Sequence, residues 1–186
     1  SDEIELLDFI KKNGFHQDDM LGLGMMIKST KGKNIFCRFS DRLTFPIFNY
    51  NNEIVGFGGR TISGSKIKYI NSSESIIFKK SENLFGLSQN IESIKSNNEL
   101  LLVEGYLDVI GLNSENITTA VASLGTTLSE NQVKKMWTLV DNPIVCFDGD
   151  LAGIKAMHGV AIKSLQFIQP GKSLKFIELP ENSDPD

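Results

Sequence analysis

Cysteine is scarce here: the 186 residues hold two, Cys37 and Cys146, far apart and each inside an apolar stretch. Such a pair suits neither a disulfide framework nor zinc-ligand spacing, so reduced, buried thiols are expected. Long hydrophobic runs are missing as well. No apolar run approaches the ~20 residues a membrane helix needs, and the N-terminal SDEIELLDF is acidic, unlike a signal peptide. Membrane and secreted readings are set aside, leaving a cytoplasmic protein as the expectation. Repeats and low-complexity segments are absent too. The two histidines, His16 and His158, offer no catalytic constellation. What remains is ordinary globular composition: 40% hydrophobic, 23% charged, 16 glycines and a mean hydropathy of -0.10. That suffices for one domain or two small lobes with a real core.

Net charge is -4, which alone speaks weakly against a nucleic-acid ligand. Its distribution speaks the other way. Residues 28–80 carry ten Lys/Arg against Asp41, Glu53 and Glu74, a net +7, whereas residues 81–186 carry a net −7. A basic stretch followed by an acidic one suggests two tasks, holding a polyanion and holding cations; plain solvated surface is the alternative.

Ile4, Leu7 and Ile10 recur at helical spacing, with Gly14 as a stop signal, so a short helix is expected over residues 3–13. RLTFPIFNYNNEIVGFGGRTI reads as two β runs joined by the turn Tyr50-Asn51-Asn52, and SGSKIKYINSSES as loop. From Asn98 onward strands and helices alternate. ELLLVEG, TTAVASLG, PIVCFDGD and SLKFIELP are apolar strands. YLDVIGL, SENQVKKMWTLV (Ser129 and Gln132 in capping-box spacing) and LAGIKAMHGVAIKSLQFI are helical. Continuous apolar strands alternating with helices indicate a parallel sheet covered on both faces. The fold class is therefore α/β: an α+β N-terminal lobe over residues 1–97, then a parallel-sheet lobe flanked by helices over residues 98–186. Trp137, Met157 and Phe78 are expected in the core, and Tyr69 as well, although Tyr69 and Phe78 are also able to stack on bases.

In open α/β sheets ligands collect beyond the carboxyl ends of the strands. Glu104 ends the first apolar strand and Asp108 follows one helical turn on. Asp148 and Asp150 end the third, in FDGD; Asp184 and Asp186 follow the fourth, in NSDPD. Six carboxylates are thus expected to converge. Unneutralised, they would raise one another's pKa and destabilise the fold. Bound hard cations resolve this, since Mg²⁺ takes oxygen ligands and is commonly shared with phosphate. Two such ions would neutralise a phosphoryl-transfer transition state. A receiver fold would need a later strand-end Lys, which IELP lacks; a haloacid-dehalogenase-like phosphatase would place DxDGT on its first strand.

The ordered set EGYLDV, ASLGT, FDGDLAG, DPD resembles a Toprim domain, the metal-binding fold of primases, topoisomerases and some nucleases. Upstream, RFSDRLTFPI, IVGFGGRTI, KYINSSES, IFKK and LFGL, in that order, resemble the RNA polymerase domain of bacterial DnaG-type DNA primases. The resemblance runs from about Gly24 to Asp186. It implies synthesis of short RNA primers from ribonucleoside triphosphates on a single-stranded DNA template at the replication fork. It implies Glu104 as metal ligand and general acid or base, Asp148 and Asp150 as metal ligands, and Asp108, Asp184 and Asp186 as supporting acids. It implies Arg42, Arg60, Lys68, Asn71 and Lys80 as nucleotide- or template-binding positions, with Mg²⁺ as cofactor and Mn²⁺ as substitute. Ser40 and Phe48 stand where the family often has basic residues, which weakens the expected basic ridge. A zinc-binding N-terminal domain and a module docking the replicative helicase, through which single-strand-binding protein is also met, are expected outside this chain. The chain is accordingly expected to be a fragment and a monomer. Two other readings stay open: a Toprim phosphodiesterase, nuclease or topoisomerase-like, and a non-enzymatic Toprim DNA-binding scaffold.

Overall fold

A computed structural model describes residues 2–29, 35–125 and 128–185. By packing, the chain divides into two compact units. One comprises residues 1–47 and 54–79, the other residues 48–53 and 80–186.

The first unit opens with helix α1 (Asp2–Lys12), where the apolar spacing placed it, followed by a short helix α2 (Gln17–Gly22). Strands β1 (Met26–Lys28) and β2 (Ile35–Cys37) pair antiparallel, with Met26 opposite Cys37. β3 (Arg42–Phe48), β4 (Ile54–Thr61) and β5 (Tyr69–Asn71) form a three-stranded sheet in that order. The turn between β3 and β4 is closed by the Asn49 side chain, whose Oδ1 accepts from the Asn51 and Glu53 amides at 2.9 and 3.0 Å. β5 lies within the stretch expected to be loop. It pairs antiparallel with β4, Arg60 opposite Tyr69 and Gly58 opposite Asn71. Polar and β-branched residues mix there without alternation, so the strand exists because β4 offers it a backbone ladder, not because of its own pattern. Phe39, Phe45, Ile47, Val55 and the fully buried Phe78 fill the core beneath this sheet.

The second unit is a five-stranded sheet in the order β10-β9-β7-β8-β6, built from β6 (Leu84–Phe85), β7 (Leu101–Val103), β8 (Ala120–Ser123), β9 (Ile144–Cys146) and β10 (Lys175–Ile177). β10, β9, β7 and β8 run parallel and β6 pairs antiparallel with β8. Helices α3 (Leu87–Asn97), α4 (Tyr106–Ser114), α5 (Glu130–Leu139) and α6 (Leu151–Ser164) complete it. One buried cluster joins Leu84, Leu87 and Ile94 to Leu102, Val121, Met136, Trp137, Val145 and Met157. Residues 80–97, placed by sequence with the N-terminal lobe, thus pack into the second unit, because their apolar side chains find their partners on this sheet. Trp137 and Met157 are core, as expected. Cys146 is buried and Cys37 half-buried, and neither is in a disulfide. No helix among the described residues is long and apolar enough to cross a membrane.

Candidate active site

The order β9-β7-β8 decides where a site forms. From β7 the chain crosses to β8 on one side, and β9 returns to the other flank of β7, so the sheet has a switch point between β7 and β9. At such a point the connections diverge and leave a crevice beyond the strand ends. Glu104 directly follows β7, and Asp148 stands two residues past the end of β9. These two acids are the sequence candidates that the topology brings to one place.

Local structure holds them there. Gly105 is the N-cap of α4, and its amide donates to Asp108 Oδ2 at 2.8 Å, so Asp108 stabilises the first turn of the helix that leaves Glu104. Asp150 caps α6 by accepting from the Gly153 amide at 2.7 Å. The helix dipoles favour a carboxylate at both places. The glycine of FDGD is needed for close approach: a Cβ at Gly149 would lie 2.1 Å from the Pro180 carbonyl oxygen. Its amide instead donates to the Ser183 carbonyl at 2.8 Å, and its own carbonyl accepts from the Asn182 amide at 3.3 Å. The segment leading to Asp184 is thereby strapped to the FDGD turn. Asp184 itself is exposed, and Asp186 lies outside the described residues.

Glu104 is the electrically stressed group of the set. Burial, and next the Asp148 carboxylate, push its pKa above the ordinary carboxylate range; Asp108 and Asp150 push the same way, against a hydrogen bond from the Asp148 backbone amide. Its Oε1 is buried with no hydrogen-bond partner among the described residues. A buried carboxylate oxygen in that state costs free energy unless something positive meets it. A hard divalent cation fits this donor set, which is all oxygen, acidic and partly desolvated. The acids are gathered around Glu104 without being closed into a ligand cage: among the described residues no three His, Cys, Asp or Glu already form a metal-binding group. Of the six expected acids, Asp148, Asp108 and Asp150 act electrostatically on Glu104; Asp184 is exposed on the segment bonded to the FDGD turn. Cys146, buried beside Asp148 and Asp108, has its thiol pKa pushed up, chiefly by burial, and is inert.

Gly153 was not singled out by sequence, yet it shapes the site. A Cβ there would come within 2.2 Å of the Asp148 carbonyl oxygen and 2.8 Å of Glu104 Oε1. The signal was present in FDGDLAG, where a residue without a side chain sits one turn into the helix behind the acids.

The basic candidates divide by role. Arg42 is committed to backbone: its Nη1 and Nη2 donate to the Lys68 and Ile67 carbonyls at 3.2 and 3.1 Å, pinning the segment before β5. Arg38, unremarked in sequence, likewise donates from Nε to the Asn71 carbonyl at 2.7 Å. Arg60 and Lys68 are exposed and Asn71 half-buried; Arg60 and Asn71 lie on the β4–β5 pair, and Lys68 directly precedes β5. Tyr69 departs from its expected core position. It is 43% exposed, and the Arg60 guanidinium stands 5.6 Å from its ring centroid. The strand register explains this, since Tyr69 opposite Arg60 must share its outward face. Lys80 opens a short 3₁₀ turn, Lys80–Glu82, in the second unit.

Comparison with known proteins finds two family models along the chain. Residues 1–91 match the model of the DNA primase catalytic core, N-terminal domain, and residues 98–177 that of the Toprim domain. A DNA primase of Rickettsia bellii is 45% identical over 166 residues, covering 89% of this chain and 28% of that protein. A DNA primase domain from Pseudomonas aeruginosa superposes with a TM-score of 0.88 at 38% identity, over 95% of this chain and 56% of that one. A DnaG primase catalytic domain bound to single-stranded DNA superposes with a TM-score of 0.83 at 34% identity, over 95% of this chain and 56% of that one. The chain spans little more than a quarter of the curated relative's length. With two acids at the switch point of a Toprim sheet and a basic β4–β5 face in the segment before it, the chain belongs to the DnaG-type DNA primase catalytic-core family.

Proposed function

We propose that this chain is the catalytic-core part of a DNA-dependent RNA polymerase that makes short RNA primers on single-stranded DNA by two-metal nucleotidyl transfer. The observation that carries the reading is Glu104: a desolvated carboxylate with an unmet oxygen, crowded by three other acids, at the strand-end crevice of a Toprim sheet. The relatives support primer synthesis, and one neighbour is a primase domain bound to single-stranded DNA; nothing favours the nuclease or topoisomerase-like alternative. Cytoplasmic action at the replication fork, with the replicative helicase and single-strand-binding protein as partners, belongs to the same proposal.

Glu104, Asp148 and Asp150 would hold Mg²⁺ or Mn²⁺, with Asp108, Asp184 and Asp186 as supporting acids. When bound, the cations neutralise charge developing on the transferred phosphoryl group and on the attacking and leaving oxygens. The chain's own contributions are distinct. Glu104 also suits the role of general base, since a carboxylate oxygen not engaged by a cation is able to take up the proton of an attacking 3′-hydroxyl. Asp150 and Asp108 keep the two helix starts rigid, so the carboxylates need little rearrangement when substrate arrives. Arg60 and Lys68 present positive charge to template or nucleotide phosphates, and Asn71 an amide beside them. Arg42 and Arg38 position this face by holding its backbone.

The test is thermal stabilisation of the chain by nucleoside triphosphate with Mg²⁺ or Mn²⁺. A ligand at 100 times its Kd adds about 2.7 kcal/mol, readily seen as a rise in Tm. Stabilisation is expected to need metal and nucleotide together and to vanish in Asp148→Ala. Stabilisation by metal alone, with nucleotide adding nothing, would remove the polymerase reading and turn attention to DNA cleavage.

A further inference from the structure

The start of α5 is joined to the Lys80 turn by an unusual number of side-chain bonds. Four consecutive backbone carbonyls, those of Lys80, Ser81, Glu82 and Asn83, are each met by a side chain of this one helix. Gln132 Nε2 donates to the Lys80 carbonyl at 2.9 Å and to the Asn83 carbonyl at 2.7 Å. Ser129 Oγ donates to the Ser81 carbonyl at 2.6 Å, and Lys135 Nζ to the Glu82 carbonyl at 2.6 Å. Gln132 is 2% exposed, so its amide is a built feature of the interior. Its Oε1 accepts from the Ser129 amide at 2.9 Å while the Gln132 amide donates to Ser129 Oγ at 3.1 Å. The capping box and the clamp therefore share their two residues. A capping box needs only local bonds to start a helix; both carboxamide hydrogens of Gln132 and the serine hydroxyl proton are spent 48 to 52 residues upstream.

We propose that Gln132, with Ser129, is a positioning residue that sets the backbone of Lys80 and thereby the place from which its ammonium meets a nucleic-acid phosphate. The inference rests on the reading of Lys80 as a template- or nucleotide-binding residue and goes beyond it by assigning the element that controls it. The physical reason is entropy. A lysine side chain has four rotatable bonds, and a phosphate contact made from a frayed turn must also order that turn. A turn whose four carbonyls are already bonded has little left to lose. Burial makes the clamp all-or-none, because a Gln132 carboxamide without its partners would leave polar groups unsatisfied in the interior.

The experiment measures binding of labelled oligothymidylate to the chain, without metal, by fluorescence anisotropy across a salt series. Each phosphate contact on a single strand contributes about 0.7 to the slope of log affinity against log salt. Lys80→Ala is expected to lower the slope by about 0.7 and affinity roughly threefold to tenfold at low salt. Gln132→Met, close in size and without the amide, is expected to reproduce that loss of slope, and the double variant to lose no more than either single one. A merely structural Gln132 would lower Tm and leave the slope alone. Should Gln132→Met fail to fold, Ser129→Ala, which removes one clamp bond, is expected to lower the slope in the same direction. A folded Gln132→Met or Ser129→Ala with wild-type slope, beside a Lys80→Ala that loses it, overturns the positioning role and leaves the reading of Lys80 intact. A Lys80→Ala with wild-type slope overturns that underlying reading, and the inference with it.

Discussion

At the scale of single residues, the site is organised by what Glu104 lacks. Its folded-state pKa lies above the unfolded value, first through burial and then through Asp148. The folded protein therefore prefers the protonated acid. Stability from this group is present below the unfolded value, near pH 4, and is lost as pH rises through the folded one. Glu104→Gln removes a charge the metal-free fold would rather not carry. It is expected to raise the metal-free Tm at pH 7, by an amount on the order of 2 °C, and the gain should shrink to nothing near pH 4. Differential scanning fluorimetry at the two pH values in chelator checks this, and a lower Tm for Glu104→Gln at pH 7 would refute it. The same substitution is expected to remove nucleotide transfer. Sequence identified Glu104 through its place after an apolar strand and led to an expected upward pKa push for the acids as a set; that Glu104 carries it depends on burial and on Asp148, 44 positions away in the chain. Tyr69 shows the opposite failure: its type suggested core, and only pairing with Arg60 turned it outward.

At the scale of elements, α6 and the FDGD turn decide how closely backbone can approach the acids. Alanine at Gly149 would place its Cβ 2.1 Å from the Pro180 carbonyl oxygen, and alanine at Gly153 would place it 2.2 Å from that of Asp148. Both neighbours are backbone, which cannot rotate away. Each substitution is expected to cost about 2–4 kcal/mol of stability through forced displacement. For Gly153→Ala, metal-dependent stabilisation is expected to fall as well, because the Cβ also lies 2.8 Å from Glu104 Oε1. Urea denaturation with and without Mg²⁺ measures both effects. A Gly153→Ala variant with normal stability and normal Mg²⁺ response would mean that α6 shifts freely there. Elements with strong periodicity, α1, α5 and α6, were legible in sequence, as were β7, β8, β9 and β10. β5 and the two-residue β6 were not, since strands that short carry no pattern of their own and exist by pairing with a longer neighbour.

At the scale of the whole molecule, opposite charge is segregated along the chain, with net +7 over residues 28–80 and net −7 over residues 81–186. Cation binding and polyanion binding are therefore expected to be separable. In EDTA, single-stranded DNA should still bind through Arg60, Lys68 and Lys80, three contacts worth about 2.1 in salt slope, or roughly an eighteenfold loss between 50 and 200 mM salt. Asp148→Asn should abolish stabilisation by Mg²⁺ and leave DNA binding in EDTA unchanged; Lys68→Ala should lower the DNA-binding salt slope by about 0.7 and leave stabilisation by Mg²⁺ unchanged. Anisotropy and thermal shift on the same preparations check the pair. Loss of metal-free DNA binding in Asp148→Asn would show that the two functions share one set of groups. The unit division also moved with scale: residues 80–97 read as part of the basic lobe along the chain, but Leu84, Leu87 and Ile94 bury themselves with Leu102 and Val121.

Sequence by itself determined the alternation of strands and helices, the parallel sheet, the acids that end β7 and β9, and the two-part charge. All of these follow from local properties: apolar runs, capping spacing and residue type. The tertiary structure alone decided which carboxylate is stressed, which arginine is used up on backbone, which aromatic faces out and which glycines are obligatory. Those depend on atoms brought within a few ångströms by strand order and register. A one-dimensional pattern specifies that a β9 exists, but only its pairing beside β7 puts Asp148 against Glu104.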